Sequence, residues 1–245
     1  MKTKIVAAAL VFACASAGAA AAQDRFSGPY LGLTYGETKG DYEFQDAPLF
    51  TAPGSTFFGT FGGTVANSRP VFDVDGDEFG LTAGVNWRRG PIVWGVELDG
   101  QAVEAEGRRR ITDRPAAGTN QFNTNLAGDI DRSASARGRL GFVLADSVLL
   151  YGTAGGAWAN ATLERNYDNA GGQTIRDDTD RSLTGVIYGG GAELALGQRW
   201  SIKAEYLKTD FEEENFATLY RDGTSANARI DADRETARVG VNFHF

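Results

Sequence analysis

The stretch ARVGVNFHF, residues 237–245, alternates without a break. Ala237, Val239, Val241, Phe243 and Phe245 form one apolar series, and Arg238, Gly240, Asn242 and His244 form a polar one. Period-two alternation marks a strand with one apolar and one polar face. Most soluble domains end in a polar, frayed tail. Here an aromatic residue in mid-strand ends the sequence, and any fold has to account for it.

Seven further segments alternate in the same way, and no segment shows a convincing helical period. They run over about 29–44, 78–87, 92–105, 131–145, 148–163, 182–196 and 200–211. In 78–87, Phe79, Leu81, Ala83, Val85 and Trp87 oppose Gly80, Thr82, Gly84 and Asn86. The facing of 148–163, rich in glycine and alanine, is left open by its pattern. The connections alternate too. RRGP (88–91), DS (146–147) and GQR (197–199) are short, whereas the connections between them run to about twenty residues or more. Long structureless loops are uncommon in compact soluble domains. A regular alternation of short turns and long loops around an even number of strands predicts an all-β, eight-stranded antiparallel up-and-down transmembrane barrel. In hydrocarbon every backbone N–H and C=O must pair internally, so a sheet can span only if it closes. Trp87, Trp94, Trp200, Phe243 and Phe245 all fall near the short-turn end, where an aromatic girdle belongs.

The other end of the chain has a basic start (Lys2, Lys4), an apolar run over 5–13 and a small-residue stretch ending at Ala22. That is the layout of a secretory signal peptide. The expected division is a signal peptide over 1–22 and a barrel domain over 23–245, beginning at Gln23. Lipidation at Cys14 is the competing reading, but Val11-Phe12-Ala13 matches a lipobox poorly. Cleavage after Ala22 removes the single cysteine, so no disulfide is expected. It also removes two lysines, leaving 22 basic against 32 acidic residues, a net charge of −10. Such a balance disfavours nucleic acid as a partner. Glycine, at 32 of 245 residues, is nearly twice its usual share of about 7%.

GGGAELALGQRWSIKAEYLKTDF (189–211), ETARVGVNFHF (235–245) and SARGRLGF (135–142) resemble the small porin-like outer-membrane proteins of Gram-negative, especially alphaproteobacterial, cells. These are the opacity-type, OmpA-like eight-stranded barrels. The resemblance covers the layout of the whole mature chain, without a peptidoglycan-binding domain after the barrel. It implies that the insertion machinery reads the final strand, here Val239, Val241, Phe243 and Phe245, after delivery by periplasmic chaperones. The terminal Phe245 then marks a finished barrel.

The polar faces carry Glu97, Asp99, Arg137, Arg139, Glu193, Lys203, Glu205 and Arg238, each about four to eight residues from a short turn. At about 3.3 Å per residue they converge on one level of the lumen. Opposite signs pair between the third and fourth, sixth and seventh, and seventh and eighth strands. Buried charges require partners, so a structural ion-pair plug is favoured over a conducting or proton-relaying path.

The only histidine, His244, falls on the periplasmic side, which leaves a lipid-cleaving Ser–His or Asp–His site at the outer leaflet without a base. It also weakens histidine-ligated haem or metal binding. No catalytic residue, cofactor or metal ligand is therefore assigned. DVDGDEFG (73–80) departs from the EF-hand pattern, with glycine fourth and Gly84 in place of the bidentate acid, and reads better as a solvated acidic loop. Arg108, Arg109 and Arg110 fall at the outer end of the third strand, where they either contact lipopolysaccharide phosphates or form a solvated run.

The function expected is a structural or surface-interaction barrel in the outer membrane, with a filled lumen and long external loops of unassigned ligand, in contact with lipid and lipopolysaccharide. The alternative is a small porin-like channel for solutes. A soluble lipocalin-type barrel ranks below both, because the outward faces are apolar.

Overall fold

A computed structural model describes the backbone over 25–46, 71–113, 122–168, 174–212, 214–219 and 225–245, and side chains over 25–40, 75–104, 130–162, 182–212 and 232–245. Strands β1 (Gly28–Asp46), β2 (Val71–Arg89), β3 (Ile92–Asp113), β4 (Phe122–Leu144), β5 (Val148–Asp168), β6 (Thr174–Ala195), β7 (Trp200–Phe211), β8 (Glu214–Leu219) and β9 (Ser225–His244) each pair with their neighbours in antiparallel order. β7 pairs with β9 over Asp233–Phe243, and β8 pairs higher up with β9 over Ser225–Ile230. The two pieces are one stave of the wall, interrupted after Phe211. β1 also pairs with β9, from Tyr30↔His244 to Asp46↔Ala228, which closes an eight-stave barrel.

The alternation predicted for each strand sorts side chains in or out of the barrel. Leu31, Leu33 and Tyr35 of β1 are exposed on the outer wall, while Tyr30, Thr34 and Thr38 are buried inside. The facing of β5, open from sequence, has Leu149, Tyr151, Thr153 and Ala157 inward and Leu150 and Trp158 outward. The outward apolar run is short: in β2 it spans Phe79 to Trp87, and along β9 it runs from Ala237 to Phe243, with Phe245 just beyond the strand end. Runs of that length match the about 9–11 residues a tilted strand needs to cross a bilayer.

Apart from the interrupted β7–β8 stave, the strands are nevertheless much longer, from 19 residues in β1 to 23 in β4. This corrects the reading of twenty-residue external loops: β3–β4, β5–β6 and β8–β9 continue as paired ladders well above the apolar band. Apolar alternation stops where lipid stops, but pairing does not, because the ladder goes on satisfying each N–H and C=O in a register already set below. For the same reason DVDGDEFG is not a loop. It lies within β2, with Asp75 and Asp77 exposed and Glu78 turned inward. Register shifts between Ala102 and Ala105 and between Ile130 and Arg132 bend the wall just above the band.

At the other end the turns are tight. β4 and β5 are joined through Ala145 (φ 48°) and Asp146 (φ 58°), closed by Ser147 N–H donating to Leu144 O at 3.3 Å. Two left-handed residues in succession supply the twist of this three-residue connection, Ala145–Ser147. The turn is therefore centred one residue earlier than the expected Asp146-Ser147. Trp87 and Trp94 are register partners on the outer wall, and Trp200 meets Phe243 edge-on with ring centroids 5.0 Å apart. These rings form the girdle at the short-turn end.

Candidate functional site

Among the described residues, charge is concentrated away from water in the interior of the barrel. An eight-stranded barrel has an interior just wide enough for side chains to fill. Glu78, Glu97, Asp99, Glu193 and Glu205 are buried there, as are Arg137, Arg139, Lys203, Arg234 and Arg238. Among the described residues, the buried lumen thus holds five acids and five bases.

At the base, Phe26 folds under the wall at a left-handed φ of 67° and packs with Val93, Val143, Leu149 and Tyr151. Arg88 fixes this entry: its Nη1 donates to Arg25 O at 3.2 Å and its Nη2 lies 3.4 Å from Asp146 Oδ1. Above Phe26, the Glu193 carboxylate accepts from Ser201 Oγ (2.5 Å), Asn242 Nδ2 (3.0 Å) and Arg139 Nη2 (2.7 Å).

The middle layer is a continuous network. Glu97 accepts from Tyr30 Oη at 2.7 Å and Lys203 Nζ at 3.0 Å, and it also pairs with Arg137. Arg137 reaches Asp99 through Nη2 at 2.6 Å, and Ser135 and Thr82 each donate to Asp99 at 3.1 Å. Glu205 receives Arg238 Nη2 at 2.7 Å, Lys203 Nζ at 3.2 Å and Tyr151 Oη at 2.9 Å. Arg238 Nη2 also lies 3.0 Å from Asp99 Oδ1. All eight charged residues expected to meet in the lumen do so. The partners differ in one case. Glu193 and Lys203 are register neighbours, yet Lys203 reaches Glu97 on the opposite wall as well as Glu205, and Glu193 takes Arg139 from β4, two staves away. A long side chain in a narrow lumen can reach the far wall, so adjacency of strands does not fix the pairing.

Two charges were missed. Glu78 and Arg234 sit above the network, joined to it through polar residues. Gln101, with its amide nitrogen toward Glu78 Oε2 at 2.9 Å, accepts from Arg238 through its oxygen. Arg234 Nη1 donates to Ser133 Oγ at 3.3 Å, and its guanidinium lies 5.9 Å from the centre of the Phe211 ring. Glu78 was legible, since it alternates with outward Phe79. Arg234 lies outside the alternating segment 237–245, although Arg234, Thr236 and Arg238 share one phase.

Tyr30 and Tyr151 were missed as well. Their rings stand across the lumen floor beside Arg139, whose guanidinium lies 4.0 Å from the Tyr151 ring centre. Each ring lies over a glycine on the neighbouring strand. A Cβ on Gly84 would meet Tyr30 at 2.4 Å, and one on Gly191 would meet Tyr151 Oη at 2.8 Å. Glycine spacing in β2 and β6 therefore makes room for the two hydroxyls that bind Glu97 and Glu205.

His244 is placed with a serine and a carboxylate. Ser201 Oγ is 3.1 Å and Glu193 Oε1 3.3 Å from its Nε2. A hydrolytic triad needs serine and acid on opposite ring nitrogens. Here both share Nε2, Ser201 donates to Glu193, and all three side chains are buried. The set is built to hold Glu193.

The residues expected to serve as an assembly signal lie on the last strand. Val239 and Val241 are exposed on the outer wall, and Phe243 packs between Trp200 and Phe245, 5.2 Å from the latter. Arg108, Arg109 and Arg110 belong to the upper part of β3; their side chains, like the expected signal peptide over 1–22, lie outside the described residues. On the described outer surface above the apolar band, exposed charge is mostly acidic. Glu37, Asp75, Asp77, Glu104, Asp131, Asp210, Glu212, Asp233 and Glu235 stand against Lys39, Arg132 and the half-exposed Lys208.

The model of the outer membrane protein beta-barrel domain family matches residues 5–245. A 31 kDa outer-membrane immunogenic protein of Brucella melitensis is 28% identical over 247 residues, covering 99% of this chain and 94% of that protein. A 22 kDa outer membrane protein of Rhizobium leguminosarum bv. viciae is 28% identical over 214 residues, covering 82% of this chain and 83% of the other. Among solved structures, the outer membrane protein OprG from Pseudomonas aeruginosa superposes with a TM-score of 0.52 at 11% identity, covering 92% of this chain and all 100% of that one. The outer membrane protease OmpT from Escherichia coli gives 0.51 at 10% identity, over 90% and 97% of the two chains. At such identities the last two are likenesses of fold alone. Closed wall, filled lumen, aromatic girdle and family match agree: this chain belongs to the outer membrane protein beta-barrel domain family, and its place is the outer membrane.

Proposed function

We propose that the barrel is a non-catalytic, non-conducting anchor that holds its external hairpins at the cell surface, where they meet partners. The observation that carries this reading is the balanced set of ten buried charges with the Phe26 layer beneath it. A pore must keep a water-filled path. Here, among the described residues, the lumen is occupied by cross-linked charged side chains over the apolar Phe26 layer. The name immunogenic, borne by the Brucella relative, fits external segments that are reached from outside.

Within this reading the final strand, ending at Phe245, is what the insertion machinery engages, and Arg108, Arg109 and Arg110 are candidates for lipopolysaccharide phosphates. The Ser201–His244–Glu193 set supports the non-catalytic part, since its geometry fixes a carboxylate and leaves no serine proton for the histidine to take. The test is electrical. Purified protein in planar bilayers should give negligible conductance, and stable, large channels would overturn the reading in favour of a solute pore. Deletion of the β3–β4 or β5–β6 hairpin tip, followed by a cell-adhesion assay, tests the surface role separately.

A further inference from the structure

Exposed charge is sorted by side of the membrane. Above the apolar band, acids outnumber bases three to one among the described residues. Below it the sign reverses among the described residues: the side chains of Arg25, Arg88, Arg89 and Arg199 stand against that of Asp146. Arg88 is committed to Asp146, Gly90 O and Arg25 O. Arg89 and Arg199 are exposed.

Both sit beside the girdle. Arg89 is two residues beyond Trp87, on the same outward phase of β2, and Arg199 directly precedes Trp200. Indole rings settle at the membrane–water interface. A guanidinium one step further out stands at the depth of the phosphates, and its planar fork suits two phosphate oxygens at once. The two arginines belong to the β2–β3 and β6–β7 turns, on opposite sides of the eight-stave ring. Separated anchors suit many small mobile ligands. A single polymer strand would call for one contiguous patch.

We propose that Arg89 and Arg199 each bind an anionic phospholipid headgroup of the periplasmic leaflet, with Trp87 and Trp200 against its upper chain. The sites are independent of whether the lumen conducts.

The test compares the full barrel with Arg89→Gln/Arg199→Gln in lipid discs of phosphatidylcholine alone or mixed with phosphatidylglycerol. Heat-modifiable migration reports that the barrel is formed. Phosphatidylglycerol should raise the unfolding temperature of the parent by a few degrees, as expected for about two interfacial arginines. The double variant should lose most of that rise, and Lys39→Gln, on the acidic side, should keep it. Native mass spectrometry should show phosphatidylglycerol retained by the parent in preference to phosphatidylcholine. If the double variant does not form the barrel, Arg199→Gln is read in its place. An equal rise in parent and variant overturns the proposal. So does an equal loss in Lys39→Gln, or the same rise from inorganic phosphate or peptidoglycan fragments added to phosphatidylcholine discs.

Discussion

Arg238 of β9 and Glu205 of β7 are register partners in the barrel wall; Arg238 Nε donates to the carboxylate at 2.8 Å, and Nη2 lies in ion-pair contact with it at 2.7 Å. Removing the guanidinium leaves a buried carboxylate short of its main partner. Arg238→Ala should therefore destabilise the barrel by about 3–5 kcal/mol. Denaturant unfolding in detergent measures it. Glu205→Gln combined with Arg238→Gln should cost less than the two single changes added, by about 0.5–3 kcal/mol. Strict additivity would show that the pair is not coupled.

Gly84 should not tolerate a methyl group. Its Cβ would lie 2.4 Å from Tyr30, whose hydroxyl donates to Glu97 and accepts from Arg139. Gly84→Ala should cost about 1–3 kcal/mol. Gly100→Ala, whose Cβ meets nothing within 4 Å, serves as the control and should be nearly neutral. Equal thermal stability of the two variants would remove the packing argument.

Ala145→Asn should stabilise. Ala145 holds φ at 48°, a region that costs L-residues energy and that asparagine enters more readily. A gain of about 0.5–1 kcal/mol is expected, read as a higher denaturant midpoint with an unchanged slope. A lower midpoint would mean that the left-handed turn is not what limits this hairpin.

Phe245 should matter more to assembly than to the folded barrel. Deleting it removes one girdle ring and the Phe245 N–H to Pro29 O bond of 3.1 Å, a modest structural loss. Outer-membrane yield in cells should nevertheless fall far more for the deletion than for Phe245→Tyr. Equal yields for deletion and parent would reduce the residue to a member of the girdle.

The membrane-crossing part of the wall was legible because lipid outside and charge inside impose opposite demands on alternate residues. Leu140 and Arg139 could be assigned to faces without coordinates for that reason. Above the band both faces meet water, the contrast disappears, and the ladders of β3–β6 could not be told from loops. The bulge near Asp131 hides β4 further by shifting its phase: inward positions are odd from Ser133 to Val143, yet Ile130 is buried. In the lumen, residue types gave the members of the network. Their pairing came from reach across the barrel, which no strand-by-strand reading contains. Phe26 gave no signal at all, since it precedes the first alternating segment.

The seam between β1 and β9 has a consequence for how the chain becomes a protein. Tyr30 and His244 are cross-strand partners, with ring centroids 5.4 Å apart, although they stand near opposite ends of the sequence. Contacts between such distant residues form late and slowly, because the loop to be closed is nearly the whole chain. Until β9 arrives, β1 presents an unpaired edge with apolar residues along its outer face, a template for aggregation. A polypeptide with this topology gains little from folding piecemeal as it emerges. It has to be kept extended until its last twenty residues are available, and then it must close in one cooperative event.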